Sequence, residues 1–130
     1  MPHLVRLDAA AREFNKPWIC TRMTSDIGAL IVITTVPDEN LAVKISESLL
    51  QQRLAACVHA LPAGLSRFRW QGNIECLPEI TLLIKSTVDR YQELEAVIRR
   101  LHSYETPEIV AFPVRLGLPA YLDWVVNETR

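Results

Sequence analysis

The sequence contains few cysteines, and none of them form the close pairs that structural zinc sites and redox motifs use. Cys20, Cys57 and Cys76 are odd in number and widely spaced, and no Cys-x-x-Cys pair occurs. This usage is typical of a reducing compartment. We therefore expect a cytoplasmic protein.

Long apolar runs are also missing. No stretch approaches the roughly 20 residues that a membrane-spanning helix needs. Near the N-terminus, charged side chains interrupt what would have to be the apolar core of a signal peptide: Arg6, Asp8, Arg12 and Glu13. The sequence therefore predicts a soluble protein without a membrane partner.

The charge balance is nearly even, with 14 basic and 15 acidic side chains. A protein that binds along a duplex neutralises phosphates with an excess of lysine and arginine. Because that excess is absent, we expect no nucleic-acid partner.

Motifs for catalysis are absent as well. The chain has no Gly-x-Ser-x-Gly elbow and no glycine-rich phosphate loop, and Ser86 has no histidine that spacing identifies as its base. We predict that the protein is not an enzyme. Catalytic groups that two subunits contribute to one interface pocket would leave no such motif within one chain.

The remaining composition indicates one globular domain. The 130 residues are 49% apolar, which suffices for one hydrophobic core and leaves no room for a second domain. Residues 1–27 lack sustained periodicity and are predicted to be an extension, which is either flexible or, in its first 22 residues, not native, with Met23 as the natural start. The domain is predicted to span residues 28–130.

From Ala29 onward, the hydrophobic periodicity alternates between strand and helix. The predicted strands and helices follow the order β-α-β-β-α-β, and a last helix starts at Pro119. The strands are expected at 29–36, 56–70, 73–86 and 109–114, and the first two helices end near Arg53 and His102. This order predicts an α+β, ferredoxin-like antiparallel sheet with helices on one face.

The second and third predicted strands form a long hairpin that turns at Gln71 and Gly72. If Trp70 pairs with Asn73, the breakers Pro62 and Gly64 lie at one level with residues 79–81, so a bulge and a bend are expected there. Each arm would extend about 45 Å at about 3.3 Å per residue, whereas a domain of this size has a radius of gyration near 14 Å.

The distal half of that hairpin should therefore project and expose apolar side chains: Phe68, Trp70 and Ile74. A closed homo-oligomer would cover this surface and pair the strand edges. A hairpin that folds back onto its own sheet at the breakers is the alternative.

Six ordered segments resemble motifs of the CutA divalent-cation tolerance family. They are TVPDE at 35–39, RLAACV at 53–58, FRWQGNIE at 68–75, LLIKST at 82–87, HSYETPEIV at 102–110 and YLDW at 121–124. The resemblance covers the chain from about Ala29 to Val126. It implies a ferredoxin-like homotrimer, similar in shape to PII signalling proteins and associated with copper and other divalent metals.

The chain departs from the family pattern at four positions. Ser103 stands where the family usually has proline, and His59 stands where asparagine is common. Thr34 and Leu101 occupy positions at which some members have a cysteine and a histidine proposed to bind copper. Only His102 matches that proposed set, so metal binding here uses other ligands or is weak.

His102 and Glu105 are the leading candidate metal ligands. They are three residues apart and would share a helical face, giving an imidazole and a carboxylate suited to Cu(II) or Zn(II). Tyr104, Glu108 or a neighbouring subunit would have to complete the site. A histidine at a helix C-terminus also stabilises the helix dipole, and Pro107 disfavours helix at the preceding residue, so a simple helix end is the alternative.

Cys57 and His59 alternate along the second strand and should point to one face, where sulfur and nitrogen together could bind copper. The alternative for Cys57 is a small buried apolar side chain. Trp70, Tyr104 and Trp124 could line a pocket or simply pack. The leading function is a trimeric metal-binding tolerance protein, and the alternative is a PII-like signalling trimer that binds an effector or a partner at subunit clefts.

Overall fold

The computed structural model describes residues 28–130. The predicted extension at residues 1–27 lies outside the described residues, and so does Cys20.

The described chain folds into five strands and three helices. In chain order they are β1 (Ala29–Val36), α1 (Glu39–Gln51), β2 (Cys57–Ala60), β3 (Gly64–Trp70), β4 (Asn73–Thr87), α2 (Val88–Leu101), β5 (Ile109–Pro113) and α3 (Pro119–Glu128). The second predicted strand is thus divided into β2 and β3 by the break at Leu61–Ala63. Among residues 28–130, no helix is long and apolar enough to cross a bilayer.

The strands form one antiparallel sheet in the order β2-β4-β1-β5, and β3 continues the pairing along the distal half of β4. β1 lies between β4 and β5 because it is apolar and β-branched throughout, as expected of a central strand. β5 pairs only with β1 among the described strands, which places Pro113 on an edge strand as predicted.

Side-chain alternation separates a covered face of the sheet from an open one. In β1 and in the last part of β4, residues 82–86, the even-numbered side chains are buried, and Val32 and Ile84 belong to the core cluster that includes residues of α1 and α2. The odd-numbered residues between them, such as Ile33 and Leu83, point the opposite way and are only half-buried. The predicted α+β ferredoxin-like fold with helices on one face is therefore confirmed.

The hairpin turns where the sequence predicts it, and Trp70 pairs with Asn73. Gln71 and Gly72 both have positive φ, 48° and 81°, as a two-residue turn matched to strand twist requires. Ala60 faces Leu82 but Gly64 faces Glu79, so four steps along one strand oppose three along the other. The extra residue at Leu61–Ala63 is the predicted bulge.

The end of α1 has an unusual residue in a left-handed conformation. The residue that follows a helix C-cap is usually glycine when its φ is positive. Here that residue is Arg53, with φ 56°. Its guanidinium donates to the carbonyl oxygens of Arg130 and Asn127 at 2.9 and 3.0 Å. Arg90 donates to the Thr129 carbonyl at 2.6 Å, so two arginines hold the end of α3 against the body of the domain.

Candidate functional site

His102 ends α2 and turns its ring inward, toward the last residues of β1. It is 9% exposed. Its Nδ1 accepts a hydrogen bond from the Tyr104 backbone N–H at 3.0 Å, and its Nε2 lies 2.8 Å from the Thr35 carbonyl oxygen. Because Nδ1 acts as acceptor and a carbonyl can only accept, Nε2 must be the protonated nitrogen. Both ring nitrogens are thus used within the chain.

Tyr104 extends this network from the α2–β5 junction to the hairpin. Its hydroxyl donates to Glu79 Oε2 at 3.0 Å, and its ring lies 4.8 Å from that of His102. Burial, the hydrogen bond to Glu79 and the charges of Glu79 and Asp38 together raise the pKa of Tyr104 to about 12. A continuous set of contacts therefore joins Thr35, His102, Tyr104 and Glu79.

Beside this network lies a cavity of about 640 Å³, hereafter the hairpin cavity. One wall is the hairpin and the other is the junction between α2 and β5. Its lining residues are Thr35, Ser66, Arg67, Phe68, Trp70, Glu75, Leu77, Glu79, Tyr104, Glu105, Thr106 and Glu108. Four carboxylates and three aromatic rings thus face one space with a single guanidinium.

His102 and Glu105 do not lie on one helical turn. Glu105 is exposed and lines the hairpin cavity, whereas His102 points away into the body of the domain. The pairing was inferred from helical spacing, but α2 ends at Leu101 and His102 already has extended backbone, with ψ 141°. The shared helical face therefore does not exist, although the metal assignment itself stays a prediction.

Cys57 and His59 lie on the open face of the sheet, as their alternation predicts. Cys57 is half-buried, and Lys85 Nζ lies 3.8 Å from its sulfur. His59 is exposed at the register position opposite Leu83. Burial and the nearby sulfur raise the pKa of Tyr121 from α3.

The donor atoms of residues 28–130 do not form a complete metal site by themselves. Within residues 28–130, no three side chains of histidine, cysteine, aspartate or glutamate are close enough together to hold one ion. A structural metal site usually needs four protein ligands, and an open site needs about three.

Sequence reasoning missed the most important acidic residue of the network. The sequence predicts that Glu79 is a solvated charge. In the structure it accepts a hydrogen bond from the hydroxyl of Tyr104, which is 25 positions away in the chain. Only the hairpin register, which sets Glu79 opposite Gly64 at the base of the distal arm, could have suggested its location.

Two other candidate residues have structural roles. Trp124 does not line the hairpin cavity with Trp70 and Tyr104, but instead stacks near Tyr121, with ring centroids 5.8 Å apart. Ser86 is fully buried and donates to the Leu54 carbonyl at 2.6 Å. This hydrogen bond attaches the segment that follows α1 to strand β4.

The fold and the cavity define a class: small ferredoxin-like α+β proteins with an extended hairpin that forms one wall of a cleft. Residues 30–128 match the family described as CutA1 divalent ion tolerance protein. The chain belongs to the CutA family.

Individual relatives agree with this assignment. The divalent-cation tolerance protein CutA of Thermus thermophilus is 41% identical over 99 residues, which cover 76% of this chain and 96% of the relative. The crystal structure of CutA from Xylella fastidiosa is 42% identical and superposes with a TM-score of 0.78, covering 79% of this chain and 99% of that one. The CutA of Archaeoglobus fulgidus, described as a periplasmic divalent cation tolerance protein, is 32% identical with a TM-score of 0.76, covering 78% and 99%.

Proposed function

We propose that this protein acts as a homotrimer in the tolerance of divalent metal ions, binding copper-type ions at sites completed between subunits in the cytoplasm. The observation that supports the proposal most directly is its match to the divalent ion tolerance family along residues 30–128. The cytoplasmic location rests on the cysteine usage, and the absence of catalytic motifs favours a binding protein over an enzyme.

The trimeric assembly is supported by apolar surface that a single chain leaves exposed. On the hairpin, Ile74 is 75% exposed and Trp70 is 54% exposed. On the open face, Phe112 is 55% exposed beside half-buried Ile31. Surface of this kind on two neighbouring faces is typical of a subunit contact, and closed rotational symmetry would cover both faces in every chain.

For metal binding, Glu105 is the proposed hard ligand and the pair Cys57 and His59 is the proposed soft one. Glu105 makes no hydrogen bond or ion pair among the described residues and faces the hairpin cavity. His102 would bind a metal only after releasing the Tyr104 amide or the Thr35 carbonyl. Carboxylates and imidazoles from sister subunits would complete the coordination.

Titration calorimetry with Cu(II), Zn(II) and Mg(II) tests this proposal on the intact oligomer, whose mass is first fixed by light scattering. We expect a mass three times that of one chain, and copper binding that weakens about tenfold or more in Glu105→Gln or in the Cys57→Ser, His59→Asn double variant. Glu47→Gln, an exposed carboxylate on α1, is the matched control. A monomeric mass, or copper affinity unchanged in both variants and in His102→Ala, contradicts the proposal.

The second candidate function is a PII-like trimer that binds a small-molecule effector at clefts between subunits. The hairpin cavity favours it, because about 640 Å³ is the size that small-molecule sites have. A thermal-shift screen separates the two functions. Stabilisation by organic ligands without any response to metals supports the effector function, and the reverse supports metal binding.

A further inference from the structure

We infer that the distal arm of the hairpin, residues 64–79, is hinged at its base, and that the Tyr104–Glu79 hydrogen bond is the latch that holds the arm at the angle needed for contact with a sister subunit. The hinge and the latch are properties of one chain. Their consequence for assembly rests on the trimer proposed above.

The distal arm has no strand neighbour in the rest of the described sheet. β3 pairs with residues 73–79 of β4, whereas β1 and β2 pair with β4 from residue 80 onward. Among the described strands, the two of the arm therefore pair only with each other. A two-stranded hairpin without further packing is marginally stable at best, so the position of the arm depends on what holds its base.

Both strands of the hairpin are weakened at one level, where the arm begins. On one strand, the bulge at Leu61–Ala63 interrupts the ladder and contains Pro62. On the other strand, Pro78 faces Leu65, and proline has no N–H to donate to a ladder. The space beside Gly64 is open, since a Cβ atom placed there would meet nothing within 4 Å beyond its chain neighbours. The base of the arm therefore has the features of a hinge.

The latch joins the two walls of the hairpin cavity beside this hinge. Glu79 faces Gly64 in the register, so it belongs to the last pair of the arm before the bulge. Its Oε2 accepts a hydrogen bond at 3.0 Å from the hydroxyl of Tyr104 on the opposite wall. The cavity of about 640 Å³ leaves space between the walls next to this contact. The hydrogen bond therefore limits how far the arm can rotate away from the body of the domain.

The other end of the latch is fixed to the body. The Tyr104 backbone N–H donates to His102 Nδ1 at 3.0 Å, and His102 Nε2 donates to the Thr35 carbonyl oxygen at 2.8 Å. Because the His102 ring is largely buried, Tyr104 cannot follow the arm without breaking these contacts. Rotation at the hinge must therefore break the bond between Tyr104 and Glu79.

The length of the arm amplifies a small rotation at its base. Asn73, at the turn, lies six positions before Glu79, and six residues of strand span about 20 Å at about 3.3 Å per residue. A rotation of about 10° would move the turn by about 3–4 Å over that length. Subunit contacts are packed as densely as protein interiors. The exposed Trp70 and Ile74 can therefore pack against a sister subunit only when the angle of the arm is set.

A chain without the latch must order its arm when it associates. The apparent affinity of assembly falls with the fraction of free chains that already have the arm in position. The latch should therefore strengthen the trimer without contributing a contact to the subunit interface.

Two variants remove the latch, and one variant is a chemically matched control. Tyr104→Phe removes the donor and keeps the ring, and Glu79→Ala removes the acceptor. In the control, Tyr91→Phe, the lost hydroxyl also donates to a glutamate, Glu95 Oε2 at 2.8 Å, but this contact lies within α2. Because both latch variants lose the same bond, the double variant should do no more than either single variant.

Amide hydrogen exchange of the full-length protein measures the hinge. At the base of the arm, the Leu61 N–H donates to the Thr81 carbonyl oxygen at 2.9 Å. We expect exchange at Leu61 to become about threefold to tenfold faster in Tyr104→Phe, as loss of one hydrogen bond allows. Exchange in α1 should stay unchanged, which separates opening of the hinge from a general loss of stability. Tyr91→Phe should leave Leu61 unchanged.

Light scattering across a dilution series measures assembly, at a fixed urea concentration that half dissociates the wild type. Tyr104→Phe should move the dissociation midpoint to about threefold to tenfold higher protein concentration. Tyr91→Phe should keep the midpoint of the wild type.

Equal exchange at Leu61 in Tyr104→Phe and Tyr91→Phe overturns the inference. Faster exchange at Leu61 with an unchanged dissociation midpoint overturns the role of the latch in assembly. A wild type with the mass of one chain contradicts the proposed trimer, and faster exchange at Leu61 in Tyr104→Phe would then still support the hinge and the latch within the chain.

Discussion

The hydroxyl of Tyr104 donates a hydrogen bond to Glu79 Oε2 at 3.0 Å, and this contact joins the α2–β5 junction to the base of the hairpin. The two residues are 25 positions apart and belong to segments that share no strand pairing. His102 Nδ1 also accepts a hydrogen bond from the Tyr104 backbone N–H. The contact therefore links the wall of the hairpin cavity to a buried residue of the domain.

Because of the Tyr104–Glu79 contact, the free energy of unfolding should decrease at alkaline pH. The folded pKa of about 12 lies above the ordinary value of 10, so the folded protein holds the phenolic proton more tightly than the unfolded chain. The resulting stabilisation is complete below pH 10 and is lost as the pH rises from about 10 to about 12. Denaturant unfolding at a series of pH values measures this loss of stability. In Tyr104→Phe, the part that comes from ionisation of Tyr104 should be absent.

Ultraviolet titration of tyrosinate checks the same contact directly. Glu79→Gln should move the highest tyrosine titration step from about 12 toward 10, because a carboxylate acceptor and its charge are removed. Glu75→Gln, which makes no contact with a tyrosine hydroxyl, is the control. A titration curve unchanged by Glu79→Gln would show that the hydrogen bond does not form in solution.

His102→Ala should destabilise the protein by about 2–3 kcal/mol, measured by chemical denaturation at fixed protein concentration. The substitution leaves the Thr35 carbonyl and the Tyr104 amide without partners in a largely buried place, and each such loss costs about 1–3 kcal/mol. Arg100→Ala, exposed in the last turn of the same helix, should change stability by less than about 0.5 kcal/mol. Equal midpoints for the two variants would contradict this role.

Thr34→Val should stabilise the protein by about 1 kcal/mol. The Thr34 side chain is fully buried, and its hydroxyl has no hydrogen-bond partner among the described residues. Valine has nearly the same shape and removes the cost of burying an unpaired hydroxyl. Thr81→Val, at a half-buried position of the open face, should have little effect. A loss of stability in Thr34→Val would mean that the hydroxyl does find a partner.

Arg53→Gly should loosen α3 even though it relieves an unfavourable backbone conformation. Glycine accepts the positive φ at position 53, which costs other residues about 1–2 kcal/mol. The substitution also removes the bonds to the Asn127 and Arg130 carbonyls. We expect faster amide hydrogen exchange in the last turn of α3. Glu128→Gln removes only the 3.7 Å ion pair with Arg53 and should leave exchange unchanged.

Phe112→Lys should dissociate the proposed trimer. Phe112 lies on the open face, where its register partner on β1 is Ile31, and a charge buried there in a subunit contact would be unpaired. Light scattering across a dilution series measures the assembly. Val43→Lys, at an equally exposed apolar position of α1 on the other side of the sheet, should stay trimeric. If both variants keep the wild-type mass, the open face is not the contact.

Much of the fold follows from local sequence. The apolar, β-branched run at 29–36 fixes β1, the Asp38 side chain caps α1 by accepting from the Leu41 amide at 2.8 Å, and the positive φ tolerated at Gly72 fixes the hairpin turn. Alternation along residues 80–85 of β4 predicts that Leu82 and Ile84 face the core. These features depend on neighbours in the chain, so sequence spacing is sufficient to predict them.

The site is different, because its groups are brought together by chain segments far apart in sequence. Spacing predicts that His102 and Glu105 share a helical face, but the helix ends at Leu101, before either residue. The backbone of Thr35, which carries no sequence signal as an acceptor, decides where the imidazole points.

The sequence by itself therefore determined the order of strands and helices, the hairpin register and the family, since each of these is written in contiguous patterns. Only the tertiary structure decided that His102 faces inward, that Tyr104 meets Glu79, and that carboxylates and aromatic rings line one cavity. The physical reason is that a hydrogen bond or a cavity depends on distances in space, and residues 25 to 67 positions apart come within 3 Å only after the sheet and helices have packed.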